Sequence, residues 1–215
     1  GIVIVYKYHF LRTNGEPDMS KWVIDKSFSF CYGHRVWSQL LNKEYCEVGD
    51  YQAKCRHLHG HEGLVHIFLE GDKLERGMVT DFKHLGWLKT FIDKILDHRF
   101  VIDQNDPMYH QMVNVPYQDL TGGVGPAPLR PIYIPGIEEG PAVAMEVDLS
   151  KVERMAATAA YEVLQGYVVV DFVPTSEYLS KWIFDIANTK MSHMGVKVSQ
   201  VDWYETPKSR SSCRG

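Results

Sequence analysis

Seven consecutive residues, Cys55-Arg56-His57-Leu58-His59-Gly60-His61, concentrate three imidazoles and a thiol. They lead into Leu64 to Glu70, an apolar-rich run that reads as a β-strand stopped by Gly71-Asp72. Residues two apart on extended backbone face the same way, so His59 and His61 can meet one ion at the start of that strand. A catalytic zinc site commonly has three protein ligands and keeps a fourth position for water or substrate. The fold must therefore deliver a third ligand from elsewhere, and Cys55 is either a reagent beside the ion or the ligand that closes it.

The flanking segments supply strands and helices with a clear period. Trp22 to Cys31 alternates, with Trp22, Ile24, Phe28 and Phe30 on one face and Asp25, Ser27 and Ser29 on the other, a strand pattern that brings His34 to its end. Residues 35–54 read as a polar loop or short helix. From Asp81 the period changes, and Leu85, Leu88, Phe91, Ile92, Ile95 and Leu96 recur at three and four, an amphipathic helix that delivers Asp97-His98 at its end. Prolines and glycines then predict loops and short extended pieces over 104–172. That stretch also holds a helix over 149–165 capped by Gly166, and a short run from Tyr167 to Phe172. After Pro174, Thr175-Ser176-Glu177 has the hydroxyl and the acidic first turn of a helix start, with Leu179, Trp182, Ile183 and Ile186 as its buried stripe. Val196 to Tyr204 alternates again, and Lys208 to Gly215 reads as a last short strand. Without 104–172 the order is strand, strand, helix, helix, strand, strand, an α+β arrangement with helices on one face of an antiparallel sheet.

Composition narrows the function classes. A net charge of −4 gives no basic surface for nucleic acid, and no apolar run reaches the roughly 20 residues of a membrane-spanning helix. Four cysteines in 215 residues do not make a disulfide scaffold, and beside a histidine-rich motif they read as reduced thiols in a cytoplasmic setting. Five of the ten histidines fall between 34 and 66, the compositional mark of a metal site. Residues 1–18 end in the turn signal Asn14-Gly15-Glu16-Pro17-Asp18 and read as an N-terminal extension before Met19; 19–215 is one domain interrupted by an insertion at 104–172.

Six pieces occur in order: Phe30-Cys31-Tyr32-Gly33-His34-Arg35, the Cys55–His61 motif, Thr80-Asp81-Phe82, Leu96-Asp97-His98, Pro174-Thr175-Ser176-Glu177 and Tyr204-Glu205-Thr206. Together they resemble the 6-pyruvoyltetrahydropterin synthase superfamily. Three residues between the cysteine and His-Gly-His resemble its bacterial branch, the 6-carboxytetrahydropterin synthases. The resemblance covers about 22–103 and 173–215. It implies a tunnelling fold (T-fold) of ββααββ subunits with a large insertion before the second core helix, in this chain 104–172. It also implies trimers stacked into a homohexamer, with active sites at subunit interfaces. The implied reaction converts 7,8-dihydroneopterin triphosphate to 6-carboxy-5,6,7,8-tetrahydropterin, acetaldehyde and triphosphate, for 7-deazaguanine and queuosine synthesis.

The same resemblance assigns roles. His34, His59 and His61 become Zn2+ ligands, whereas a bare His-x-His pair is more often a surface or core pair. His57 falls outside the shell and His66 in the sheet. Cys55 becomes the proton-transferring thiol; the other reading is a fourth zinc ligand that makes the site inert. A thiol in this role needs a lowered pKa. Cys31, Cys46 and Cys213 read as unremarkable. Asp97 and His98 become a second proton-transfer pair serving a neighbouring subunit, against the plain reading of a helix-end cap. Glu205 becomes the pterin-recognising carboxylate, since a carboxylate accepts two hydrogen bonds from the 2-amino and ring N–H edge, while a lone glutamate at a strand exit is ordinarily solvated. Thr175 and Ser176 either add contacts to the pterin or simply cap a helix, and Asp81 caps the helix after it. Two further readings stay open: another product on the same scaffold, such as 6-pyruvoyltetrahydropterin, and a non-catalytic zinc-stabilised binding protein.

Overall fold

The computed structural model describes residues 19–41, 53–153 and 159–215. The 1–18 extension, Cys46 and the middle of the helix read over 149–165 lie outside them.

The alternation that starts at Trp22 continues to the end of β1 (Trp22–His34), so Phe30, Tyr32 and His34 share the buried face. β2 (His59–Gly71) begins at His59 rather than Leu64, which puts His59 and His61 in phase with the buried Val65, Ile67 and Leu69. β1 and β2 pair antiparallel along their whole length, from Trp22 opposite Gly71 to His34 opposite His59. Register alone thus sets the third histidine beside the other two.

The next segment is helical from Phe82 to Leu96, with α1 (Gly86–Phe91) between a 3-10 turn (Phe82–Leu85) and a π turn (Ile92–Leu96). Asp81 caps it as expected, its Oδ1 accepting the Lys83 N–H at 2.9 Å. Leu85, Leu88, Phe91, Ile92 and Leu96 are buried, the stripe that the period predicts.

Beyond Asp97-His98 the structure is more regular than the sequence suggests. β3 (Arg99–Asp103) runs parallel to β1, joined to it at Tyr32–Gly33. α2 (Val115–Thr121) follows, and β4 (Leu129–Ile132), β5 (Ala144–Val147), α3 (Ala159–Gln165) and β6 (Tyr167–Val170) complete the insertion. Its strands extend the sheet instead of looping out, giving the order β4-β5-β6-β3-β1-β2, followed by β7 (Lys197–Thr206) and β8 (Ser209–Arg214). The helix read from Leu149 is a turn at that point: the Asp148 carboxylate takes the Ser150 N–H at 2.9 Å, and regular helix is described only from Ala159. Gly166 is not a left-handed cap; the glycines that close helices that way are Gly122, at φ 66° after α2, and Gly195, at φ 69° just beyond Ser192.

α4 (Ser176–Ser192) starts where predicted, with the Thr175 hydroxyl oxygen accepting the Tyr178 N–H at 3.2 Å. Its buried Leu179, Trp182, Ile183 and Ile186 pack with α1 against Val65, Ile67, Val201 and Trp203. That is the α+β T-fold core, helices on one face of the antiparallel strands. In the extension both faces are covered. Val168 and Val170 of β6 point into the main core, while Tyr167 and Val169 join Ile102, Val113 and Leu164 in a second one on the opposite face. Each fully buried side chain of this size contributes about 1.5–3 kcal/mol relative to exposure, so the extension is anchored and not appended. The other face of β1 is polar, with Asp25, Ser27 and Ser29 exposed.

Candidate metal centre and its surroundings

His34, at the end of β1, is fully buried, and burial pushes its pKa down to about 4. Its Nδ1–H donates to the Pro174 carbonyl at 2.6 Å, leaving the neutral ring with a bare Nε2. His59 does likewise, its Nδ1–H on the His57 carbonyl at 2.7 Å. Backbone acceptors of this kind fix the tautomer and ring direction of metal-binding histidines. His61 brings its Nε2 to 3.1 Å from that of His34, and burial, then the nearby His59, lower its pKa. One nitrogen from each of the three rings falls in a group whose members all lie within 4.8 Å of one another, and it is the one metal-capable group of three or more found among the described residues. Bare nitrogens pointed at each other repel unless a proton or a cation lies between them. Lowered basicity disfavours the proton, so this donor set suits a metal ion, with His34, His59 and His61 holding it.

Glu205, on β7, closes the arrangement from the side of α4. Its Oε1 stands 3.8 Å from His34 Nε2, and burial raises its pKa while His59 opposes the rise and Glu177 adds to it. The remaining predicted residues lie around this centre in different ways. Thr175 spends its oxygen on the α4 cap, and the Ser176 hydroxyl lies 2.6 Å from that of Ser211 on β8. Cys55 sits exposed in the turn Lys54–Arg56 and does not join the histidine group, which gives no support to the fourth-ligand reading. The Asp97 carboxylate accepts the Cys31 N–H at 3.0 Å and lies 3.0 Å from His98 Nδ1; those contacts, Cys31 first, lower its pKa. His98 takes a left-handed backbone at φ 59°, and its side chain is 80% exposed at the rim of the cleft that His59 and His61 also line. His66 is bound to Asp25 on the polar face, remote from the metal group, as expected. Asp81 is a cap.

Two features escaped sequence reasoning. Tyr32 lies directly beneath the centre, its ring 5.2 Å from that of His34 and 5.6 Å from that of His61, with Trp203 Nε1–H donating to its hydroxyl at 3.0 Å. A tyrosine between two motif residues carries no signal until register places it opposite His61. Second, a cleft of about 680 Å³ opens beside His59 and His61, and Met112, Val163 and Tyr167 of the insertion line it together with His98. The larger hollow, about 890 Å³ at Glu70–Lys83, is far along the sheet from the histidines and has Lys21 and Lys197 paired with Glu70.

A sheet that presents three convergent imidazoles at one end of a hairpin, with a carboxylate from the next strand over them, defines a tunnelling-fold protein with three histidines placed to hold a metal ion. The chain belongs to the family described as 6-pyruvoyl tetrahydropterin synthase, whose family model matches residues 23–215. Among its relatives is the 6-carboxy-5,6,7,8-tetrahydropterin synthase of Aquifex aeolicus, 30% identical over 202 residues, 89% of this chain and 96% of that protein. The enzyme of the same name from Synechocystis is 32% identical over 88 residues, 38% of this chain and 59% of that protein. A solved structure of an uncharacterised protein from Wolinella succinogenes superposes with a TM-score of 0.73 at 41% identity, covering 91% of this chain and 98% of that one. No helix among the described residues is long and apolar enough to cross a membrane.

Proposed function

We propose that the protein is a zinc-dependent 6-carboxytetrahydropterin synthase, converting 7,8-dihydroneopterin triphosphate to 6-carboxy-5,6,7,8-tetrahydropterin, acetaldehyde and triphosphate. The observation that carries the proposal is the convergence of His34, His59 and His61 beneath Glu205, in a chain whose Cys55-x-x-x-His59-Gly60-His61 spacing resembles the 6-carboxytetrahydropterin synthase branch and which is 30% identical over 89% of its length to a relative of that name. Imidazole ligands suit zinc, as they do copper, iron and nickel, and a zinc ion held by three neutral imidazoles would supply a Lewis acid for the side-chain oxygens of the substrate.

The chain's own groups do the rest. Glu205, half-buried, accepts two hydrogen bonds from the 2-amino and ring N–H edge of the pterin and orients the side chain toward the histidines. The Thr175 hydroxyl keeps its proton after capping α4, and with Ser176 it would bind the pterin rim. The Cys55 thiol removes or returns a proton at the side-chain carbons, and Asp97 steadies His98 as the second proton carrier. His98 is 80% exposed at the mouth of the cleft and so within reach of a neighbouring subunit as well as of its own. The sheet supports the same assembly. β1 meets β3 only at Tyr32–Gly33, so among the described residues its edge from Trp22 to Phe30 has no strand beside it, and β4 and β8 are the terminal strands of the sheet. Edges of this kind are templates for pairing between chains, in line with a trimer or a homohexamer. Such an enzyme works in the cytoplasm, feeding 7-deazaguanine and queuosine precursors.

The test is to incubate the zinc-loaded protein with 7,8-dihydroneopterin triphosphate and follow acetaldehyde together with the pterin product. Acetaldehyde in step with 6-carboxytetrahydropterin is the expected result. A pyruvoyl product without acetaldehyde would move the protein to the 6-pyruvoyl reaction of the same scaffold, and zinc-loaded oligomer without any turnover would overturn the enzymatic reading.

A further inference from the structure

Among the buried carboxylates that take no part in the site described so far, two stand together at and just after the end of β3. Asp103, at the end of β3, is 2% exposed and Asp106 is 4% exposed. Both reach the segment that leaves His34. Arg35 Nε lies 2.7 Å from Asp106 Oδ2, and Trp37 Nε1–H donates to Asp103 Oδ2 at 2.9 Å. Between these two anchors, the Val36 N–H donates to the Cys55 carbonyl at 2.6 Å. Residues 35–37 are therefore gripped by the aspartates on one side and hold the Cys55 backbone on the other.

The grip is itself rigid. Asp103 Oδ1 accepts the Asn105 N–H at 2.9 Å, and Asp106 Oδ1 accepts the Met108 N–H at 2.8 Å, so each carboxylate closes its own turn with one oxygen and reaches out with the other. The Arg35–Asp106 contact lacks a well-aligned hydrogen bond despite its short distance, which makes it a contact of charge in a dry place. Buried charges are costly unless paired, and removing one partner strands the other. A loop tether of this cost is placed one residue from His34 and one hydrogen bond from Cys55.

We infer that Asp103 and Asp106 are positioning residues for Cys55. Through Arg35, Trp37 and the Val36–Cys55 hydrogen bond they set where the turn Lys54–Arg56 stands relative to the end of β1. The inference rests on the reading of Cys55 as the proton-transferring thiol. It gives the segment after β3 a role in the reaction without contact with substrate.

The experiment compares the zinc-loaded oligomer with Asp106→Asn and, as a milder change, Trp37→Phe. Three readouts are taken: zinc content, the kcat and KM split, and the rate at which iodoacetamide alkylates Cys55, followed by peptide mass spectrometry. Asp106→Asn is expected to keep its zinc and its KM while kcat falls roughly tenfold to a hundredfold, the range that small misplacements of reacting groups produce. The Cys55 alkylation rate shifts several-fold in the same protein. Trp37→Phe shifts both in the same direction by less, and decides the matter if Asp106→Asn does not fold. Parental kcat and parental alkylation in a folded, zinc-loaded variant would overturn the inference. So would zinc loss with an unchanged Cys55 rate, since the tether would then serve His34 alone. Full turnover by Cys55→Ser defeats the catalytic reading of the thiol instead, and the alkylation rate still reports whether the aspartates place it.

Discussion

Replacing Gly63 by alanine should damage the metal centre more than the fold. Gly63 lies opposite Phe30 in the β1–β2 hairpin, and a Cβ there would stand 2.8 Å from Cε1 and 3.0 Å from Cδ1 of Tyr32. Carbon atoms in contact sit about 3.5–4.0 Å apart, so the ring must retreat by about 0.7 Å. Tyr32 is 3% exposed, its ring centre 5.1 Å from that of Trp203 and its hydroxyl tied to the same indole, so the retreat is toward His34 and His61. Overpacking of this kind costs about 1–3 kcal/mol in stability. Metal–ligand distances tolerate only about 0.2 Å, so a fraction of the shift passed to either ring weakens zinc binding, by about tenfold or more. The assay is competition for zinc against a chromophoric chelator, with urea unfolding at one protomer concentration beside it. Adding Tyr32→Leu frees the space, and the double variant should recover affinity with a coupling of about 1 kcal/mol or more. The reasoning is refuted if Gly63→Ala binds zinc like the parent, or if the two substitutions are additive.

Other expectations follow from the same geometry. His59→Ala should lower zinc affinity by more than the roughly 10–100-fold typical of losing a supporting partner, measured by the same competition. Cys55→Ala should keep zinc and lose turnover, and zinc loss from that variant would favour the structural-site reading. If the exposed His98 serves a neighbouring subunit, as proposed, mixed oligomers of Cys55→Ala and His98→Ala should regain activity that neither variant has alone; inactive mixtures would place both groups in one subunit's site. In the metal-free protein His34 titrates near 4 instead of 6.5, so between those values the unfolded chain binds a proton that the folded chain refuses. Stability is then lost as pH falls through that window, by about 3 kcal/mol in all, and His34→Asn should flatten the urea midpoint profile there.

The metal group was legible because the family resemblance singles out His34, His59 and His61, and strand periodicity is compatible with their sharing a face. Alternation from Trp22 to His34 and from His59 onward puts three histidines on one face, and the hairpin register does the rest. Asp81 and Thr175 were legible because caps are local chemistry. The extension was not. Tyr167 to Val170 is buried on both faces and Val101-Ile102 likewise, so neither shows the two-residue alternation that marks a half-exposed strand. β4 carries Pro131, which argues against a strand until its position at the sheet edge is known. The Asp103 and Asp106 tether joins residues far apart in sequence, and a lone aspartate gives no sign of the partner it meets across a fold.

X-ray absorption at the zinc edge of the loaded, substrate-free protein distinguishes the open three-histidine centre from a closed one. The account predicts nitrogen and oxygen neighbours at about 2.0–2.1 Å, one of which exchanges when a small anion is added. A sulfur neighbour at about 2.3 Å would contradict it, because Cys55 would then be a ligand and the site would have no place for substrate.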